Sequence, residues 1–215
     1  MPSPGALLVD RGDLPSLVAV TVESRPQHLV LYHALESDPA AGRRRAAVEE
    51  HAAVLGVRQV VVEPLPALDA GGGGGDGAGV AGQLEGLAQA GLLLQAAAAA
   101  RRLACPRIIW PHQVGPDPEA VGPAVERASL VAALAEIGGG QPAGAELVID
   151  LPLVDLTDAQ LADLAEDGGA VMHGFWPCAA AGDAPCGVCA GCRRWRSAFA
   201  EAGVPWPWAA VGTSP

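Results

Sequence analysis

Aromatic side chains are scarce in this 215-residue chain, at 4% of the total. A core short of large rings must be filled by Ala, Val and Leu, and that suits helices packed on a sheet better than a β-sandwich. Basic residues are also few: 13 Lys and Arg stand against 24 Asp and Glu, for a formal net charge of −11. Such a surface argues against non-specific nucleic-acid binding, which needs cations for the phosphates. No apolar run reaches the ~18 residues of a membrane helix. The stretch from Gly86 to Ala100 is interrupted by Gln89 and Gln95 and closed by Arg101 and Arg102. No basic segment followed by an apolar one opens the chain, so the expected setting is a reducing cytoplasm.

What is present is a regular alternation. Strand-like runs occur at "ALLVD", "HLVLYHAL", "VRQVVVEP", "PRIIWP" and "AELVIDLPLVDL", separated by helical stretches. The pattern predicts an α/β fold: a mainly parallel five-stranded sheet with helices on both faces. Asp38 is expected to cap the second helix, with Gly56 ending it, and Thr157 with Gln160 reads as a capping box. The glycine tract across 69–82 lacks hydrophobic periodicity and a Lys-Ser/Thr pair, and reads as a flexible loop ahead of a helix from about Gln83. The expected organisation is an α/β domain over 1–170 and a C-terminal metal segment over 171–215.

That segment holds four of the five cysteines: Cys178, Cys186, Cys189 and Cys192, spaced C-x7-C-x2-C-x2-C. Two residues between thiols let a tight turn aim both sulfurs at one ion, and Gly187 and Gly191 supply the turns. Four thiolates make a closed tetrahedral zinc site with a structural role. An iron–sulfur cluster and a redox pair are the competing readings. Cys105 stands apart as a small buried residue.

The C-terminal stretch "FWPCAAAGDAPCGVCAGCRRWRSAFAEAG" resembles the end of the 7-cyano-7-deazaguanine synthases, a family of PP-loop ATP pyrophosphatases. Trp176 two residues before the first cysteine, the seven-residue gap, "PCG-x-C-x-x-C" and "AF-x-x-AG" carry the resemblance. It implies a PP-loop-like sheet, a zinc near the active site, and ATP-driven conversion of a carboxylate to a nitrile on the path to queuosine.

The family's S-G-G-x-D-S loop, however, reads "DRGDLPS" here, so Asp10, Gly12 and Ser16 are the residues left to bind the nucleotide. Asp10 and Asp13 would set carboxylates against phosphate oxygens, and Pro15 lacks an amide. The family's Arg-Asn pair becomes Gln89 and Ala90, a Lys becomes Asp158, and an Arg becomes Trp195, flanked by Arg194 and Arg196. The expectation is a diverged member of the family that keeps the zinc, lacks ATP-dependent catalysis, and works in binding or assembly. ATP as a cofactor is therefore doubtful. The alternative is an active ATP-dependent synthase, or a related ligase with a rebuilt site. A third reading puts RNA on Arg193, Arg194 and Arg196. A homodimer and a small-molecule ligand are the expected partners.

Other residues weighed are His33, His112 and Asp117 as a second metal or catalytic group, His173 near the first thiol, and Asp10, Asp13 and Glu36 as a cation site. In each case scattered rim residues are the simpler reading. Trp206 and Trp208 are expected to pack back onto the domain.

Overall fold

The computed structural model of the chain describes residues 5–65, 78–137, 146–168 and 174–209. In chain order the elements are β1 (Ala6–Val9), α1 (Leu14–Val22), β2 (Leu29–Leu35), α2 (Ala41–Leu55), β3 (Gln59–Pro64), α3 (Ala78–Arg102), β4 (Arg107–Ile109), α4 (Pro118–Ile137), β5 (Val148–Asp150), α5 (Asp158–Asp167) and α6 (Ala190–Ala202). All five strands run parallel, in the order β3-β2-β1-β4-β5.

Alternation along β1 assigns the two faces. Ala6 and Leu8 point toward Leu14, Leu17 and Val18 of α1, Val48 of α2, Leu161 and Ala165 of α5, and Phe199 of α6. Leu7 and Val9 point toward Leu93, Ala96, Ala97 and Ala100 of α3 and Ala128 and Val131 of α4. The alanines of α3 let that helix lie close to the sheet without large rings. The expected fold class, with helices on both faces, is thus present.

Some boundaries differ from the sequence reading. Most of the 69–82 tract lies outside the described residues, but α3 already begins at Ala78, within the stretch read as loop. β5 is only three residues long, because Pro152 cannot continue a hydrogen-bonded ladder. Asp38 does not cap α2: it lies two residues before the N-cap residue Ala40, whose amide its carboxylate accepts from at 2.8 Å. Gly56 and the Thr157–Gln160 box do bound α2 and α5 as expected. The boundary placed at residue 170 falls outside the described residues, and α6 shares the core of the sheet through Trp195, Ala198 and Phe199.

Chain order reverses between β1 and β4, and in open parallel sheets the ligand crevice opens at the carboxyl ends of such a strand pair. The turn leaving β1 is fixed by Gly12. It has a φ of +68°, and a Cβ there would lie 2.3 Å from the carbonyl oxygen of Arg44 on α2. Gly12→Ala is expected to lower stability by about 2–4 kcal/mol, read by urea denaturation, because it adds left-handed strain to a backbone clash.

Candidate functional site

The thiols converge. Their four sulfurs lie within 4.8 Å of one another, and they are the only group of three or more His, Cys, Asp or Glu donors that does so among the described residues. Two opposite edges of the cluster measure 4.0 Å (Cys186–Cys192) and 3.9 Å (Cys178–Cys189). A tetrahedron with metal–sulfur distances of ~2.3 Å has edges of about 3.8 Å, so the donor set fits a metal ion.

Backbone amides hold the sulfurs in place. Ala180 and Cys186 donate to Cys178 Sγ at 3.3 and 3.4 Å, Cys189 to Cys186 Sγ at 3.4 Å, and Cys192 to Cys189 Sγ at 3.5 Å. Cys189 is also the N-cap of α6. Burial opposes its ionisation, yet the amides of Cys192 and Ala179 pull its thiol down to about 6. Burial, with the Cys192 thiol donating to the Cys189 sulfur, holds the Cys192 thiol up. Gly191 is required for packing: a Cβ there would sit 2.3 Å from the Pro177 carbonyl. Around the cluster, Trp208 stands edge-on to Trp176 at 5.9 Å, and the Arg43 guanidinium lies 5.4 Å from the Trp176 ring. Trp206 packs on Phe199 at 5.4 Å, so both terminal tryptophans fold back onto the chain as expected.

A cleft of about 200 Å³ opens at the β1/β4 ends. Arg11, Asp13 and Ser16 line it from the β1 turn and α1, Glu85 and Gln89 from α3, Trp110 and His112 after β4, and Arg194 and Trp195 from α6. Asp13 caps α1 from inside the cleft: its Oδ1 accepts from the Ser16 amide at 3.0 Å and from the Ser16 hydroxyl at 2.6 Å. The helix N-terminus that would attract an anion already holds the protein's own carboxylate.

Two of the three residues expected at a nucleotide do not line the cleft. The Asp10 carboxylate is fully buried and turned away from it. One oxygen accepts from the Gly12 amide at 2.8 Å, and the other lies 2.7 Å from His51 Nδ1. Gly12 serves packing, and its carbonyl accepts from the Trp176 amide at 2.8 Å. Ser16 does line the cleft, with its hydroxyl donated to Asp13.

The cleft is also less one-sided in charge than the sequence implies. Arg11 and Arg194 both reach it, and both are already paired. Arg11 donates to Glu36 at 3.1 Å. Arg194 grips Asp158 with two bonds of 2.7 Å and also reaches Gln113. Asp158, which the sequence reading takes as the loss of a cation, therefore neutralises an arginine.

His112 stacks on Trp110 with ring centroids 4.3 Å apart and planes 3° from parallel. Burial, then the guanidiniums of Arg11 and Arg127, push its imidazole down to about 4, so it is uncharged at neutral pH. Asp117 binds the Glu119 amide at the start of α4, and His33 Nδ1 lies 2.8 Å from the Asp10 carbonyl. Neither joins His112 in a metal site, and Asp10, Asp13 and Glu36 do not converge on a cation. His173 lies outside the described residues.

The sequence reading missed His51. Its Nε2 lies 2.7 Å from the Gly174 carbonyl while Nδ1 faces Asp10, so each ring nitrogen addresses an acceptor and both must carry a proton. Burial lowers its pKa, but the Asp10 carboxylate, the Gly174 carbonyl and Asp13 outweigh that and raise it. A clue was available. Ala47, Val48, His51 and Ala52 form the buried stripe of α2, and a polar residue there needs a partner.

Comparison with known proteins follows the thiols. Residues 124–203 match the family described as Queuosine biosynthesis protein QueC. Over 72 residues the chain is 39% identical to the 7-cyano-7-deazaguanine synthase of Nostoc sp., covering 33% of this chain and 30% of that one. Over 64 residues it is 31% identical to the synthase of Trichodesmium erythraeum, covering 30% and 29%. The chain thus matches under a third of the length of these curated relatives. Among solved structures, NMN synthetase from Francisella tularensis superposes with a TM-score of 0.51 at 14% identity, over 95% of this chain and 74% of that one, a likeness of fold alone. Among the described residues no helix is long and apolar enough to cross a membrane. The chain is similar to the 7-cyano-7-deazaguanine synthases, and the family match covers the segment that runs from α4 across β5, α5 and the four cysteines to the end of α6.

Proposed function

We propose that this chain is a diverged relative of 7-cyano-7-deazaguanine synthase that keeps a structural zinc on Cys178, Cys186, Cys189 and Cys192, has lost ATP-dependent catalysis, and acts by binding. One observation carries the reading: the Asp13 carboxylate fills the N-terminus of α1, with Pro15 beside it offering no amide. A pyrophosphate placed there would meet like charge and a taken donor. The chain contains no lysine, and the two arginines lining the cleft are held by Glu36 and Asp158. Zinc suits four sulfurs at tetrahedral spacing with no open position. When bound, the ion would supply a fixed cross-link between the loop at Cys178 and the first turn of α6, and no reaction step. The free thiols suit a reducing compartment such as the cytoplasm.

The test uses the metal-loaded chain. Elemental analysis is expected to find one zinc per chain and no iron. Calorimetry with magnesium and ATP is expected to give no binding heat. Incubation with ATP, ammonia and 7-carboxy-7-deazaguanine is expected to give no nitrile by mass spectrometry. Turnover in that assay would establish the alternative, an active synthase with a rebuilt nucleotide site.

A further inference from the structure

We propose that the outer face of α3 and α4 is a self-association surface, on which a second copy of this chain packs with its helices antiparallel. This pairing does not depend on what the cleft binds.

Most of the large apolar side chains left exposed among the described residues sit on these two helices. On α3 they include Leu87 and Leu94, seven residues apart; on α4, Leu130, Leu134 and Ile137. The spacing places each set on one side of its helix, away from the side buried on the sheet. The two stripes are neighbours. Arg127 of α4 donates to Gln89 of α3 at 2.7 Å, and Arg101 of α3 pairs with Glu136 of α4, so the helices run side by side with Leu94 beside Leu130. These five side chains leave roughly 500 Å² open, the size at which an apolar patch marks an interaction site. A stable interface takes about 800 Å² from each partner, so the patch supplies most of one.

Shape selects a second copy as the occupant. The exposed side of α3 alternates large and small, as Leu87, Gly91, Leu94 and Ala98. A Cβ at Gly91 would meet nothing within 4 Å, so that position is a hollow between two leucines. Turned end for end about a point midway between Gly91 and Leu94, the stripe fits itself. Leu94 then meets the partner's Gly91, and Leu87 meets the partner's Ala98. The same turn brings Leu130 toward the partner's Leu130. A self-complementary contact of this kind has two-fold symmetry and stops at two copies.

Charge selects the direction. With a formal net charge of −11, copies repel over most of their surface. No charged residue occurs from Gly86 to Ala100 or from Ala128 to Ala135, so this face is where they can approach. The exposed carboxylates Glu119 and Glu126 lie at the amino end of α4. At the carboxyl ends, Arg101 and Arg102 are balanced by Glu136 and Glu63. Parallel packing would set the acidic end of α4 against its own copy; antiparallel packing sets it against the balanced end.

The test is sedimentation equilibrium of the metal-loaded full chain, which is expected to give twice the 21.6 kDa chain mass at micromolar concentration. Leu94→Glu combined with Leu130→Glu should give a monomer with an unchanged circular dichroism spectrum, since both side chains are exposed. Gly91→Gln favours the helix but fills the hollow with a polar side chain, and should weaken the dimer about tenfold. Val54→Glu, at a comparably exposed apolar position on α2, is the control and should remain a dimer. A wild-type monomer at every concentration would give the face to another occupant and overturn the proposal. A dimer unmoved by the α3 and α4 variants, or lost equally in Val54→Glu, would overturn it as well.

Discussion

Stripping the metal, or replacing Cys192 by serine, is expected to detach the C-terminal segment from the sheet and lower the melting temperature by roughly 10–20 °C. That corresponds to a loss of about 5 kcal/mol in a chain of this size. The reason lies in what α6 buries. Trp195, Ala198 and Phe199 pack into the same core as Leu8, Leu14 and Leu161. The approach to α6 from Gly174 to Cys189 contains no helix or strand to hold it in place. The sulfurs close that stretch into a compact knot, with Cys178 and Cys192 almost fully buried. Without the ion, several ionisable sulfurs would share one small volume, and the amides aimed at them would not offset the repulsion. Calorimetry with and without a strong chelator checks this. Cys105→Ala serves as control, since that thiol sits among apolar residues on the opposite face. Superimposable melting curves would mean that packing alone shapes the segment.

The second large effect is expected from His51→Leu, at about 3–5 kcal/mol, because it leaves the buried Asp10 carboxylate without its counter-charge. The pair also closes the turn after β1 onto Gly174. Its pH dependence has a definite sign. The folded pKa of His51 is raised above the usual value of about 6.5, so its contribution is complete below that pH. The contribution is lost as pH rises through the folded value. The gap between wild type and His51→Leu in urea midpoint should therefore be widest in mild acid and narrow on the alkaline side. Adding Asp10→Asn to His51→Leu should recover part of the loss, since the stranded charge is then gone. A gap under about 1 kcal/mol at pH 6 would show the pair to be unimportant.

Much of the fold was legible because period and punctuation agree. β2 is apolar apart from His33, as a strand covered on both faces should largely be, and α5 carries its capping box in four letters. The metal site was legible because cysteine spacing is local. The cleft was not, because its charge balance depends on pairs far apart in sequence. In sequence Asp158 reads as the loss of a cation; in the fold Arg194 grips it across 36 positions. In sequence Asp10 reads as a carboxylate facing phosphate; in the fold His51, 41 residues away, claims it. The matched segment, 124–203, excludes β1 and its turn entirely. The family similarity thus lies in the part of the chain that holds the sulfurs.

Arg194 and Trp195 ride on α6, within three residues of Cys192. An ion that fixes α6 would therefore also complete the crevice, and occupancy of the two places would be thermodynamically linked. Whatever enters the crevice should slow release of the ion, and by reciprocity the ion should tighten the guest by the same factor.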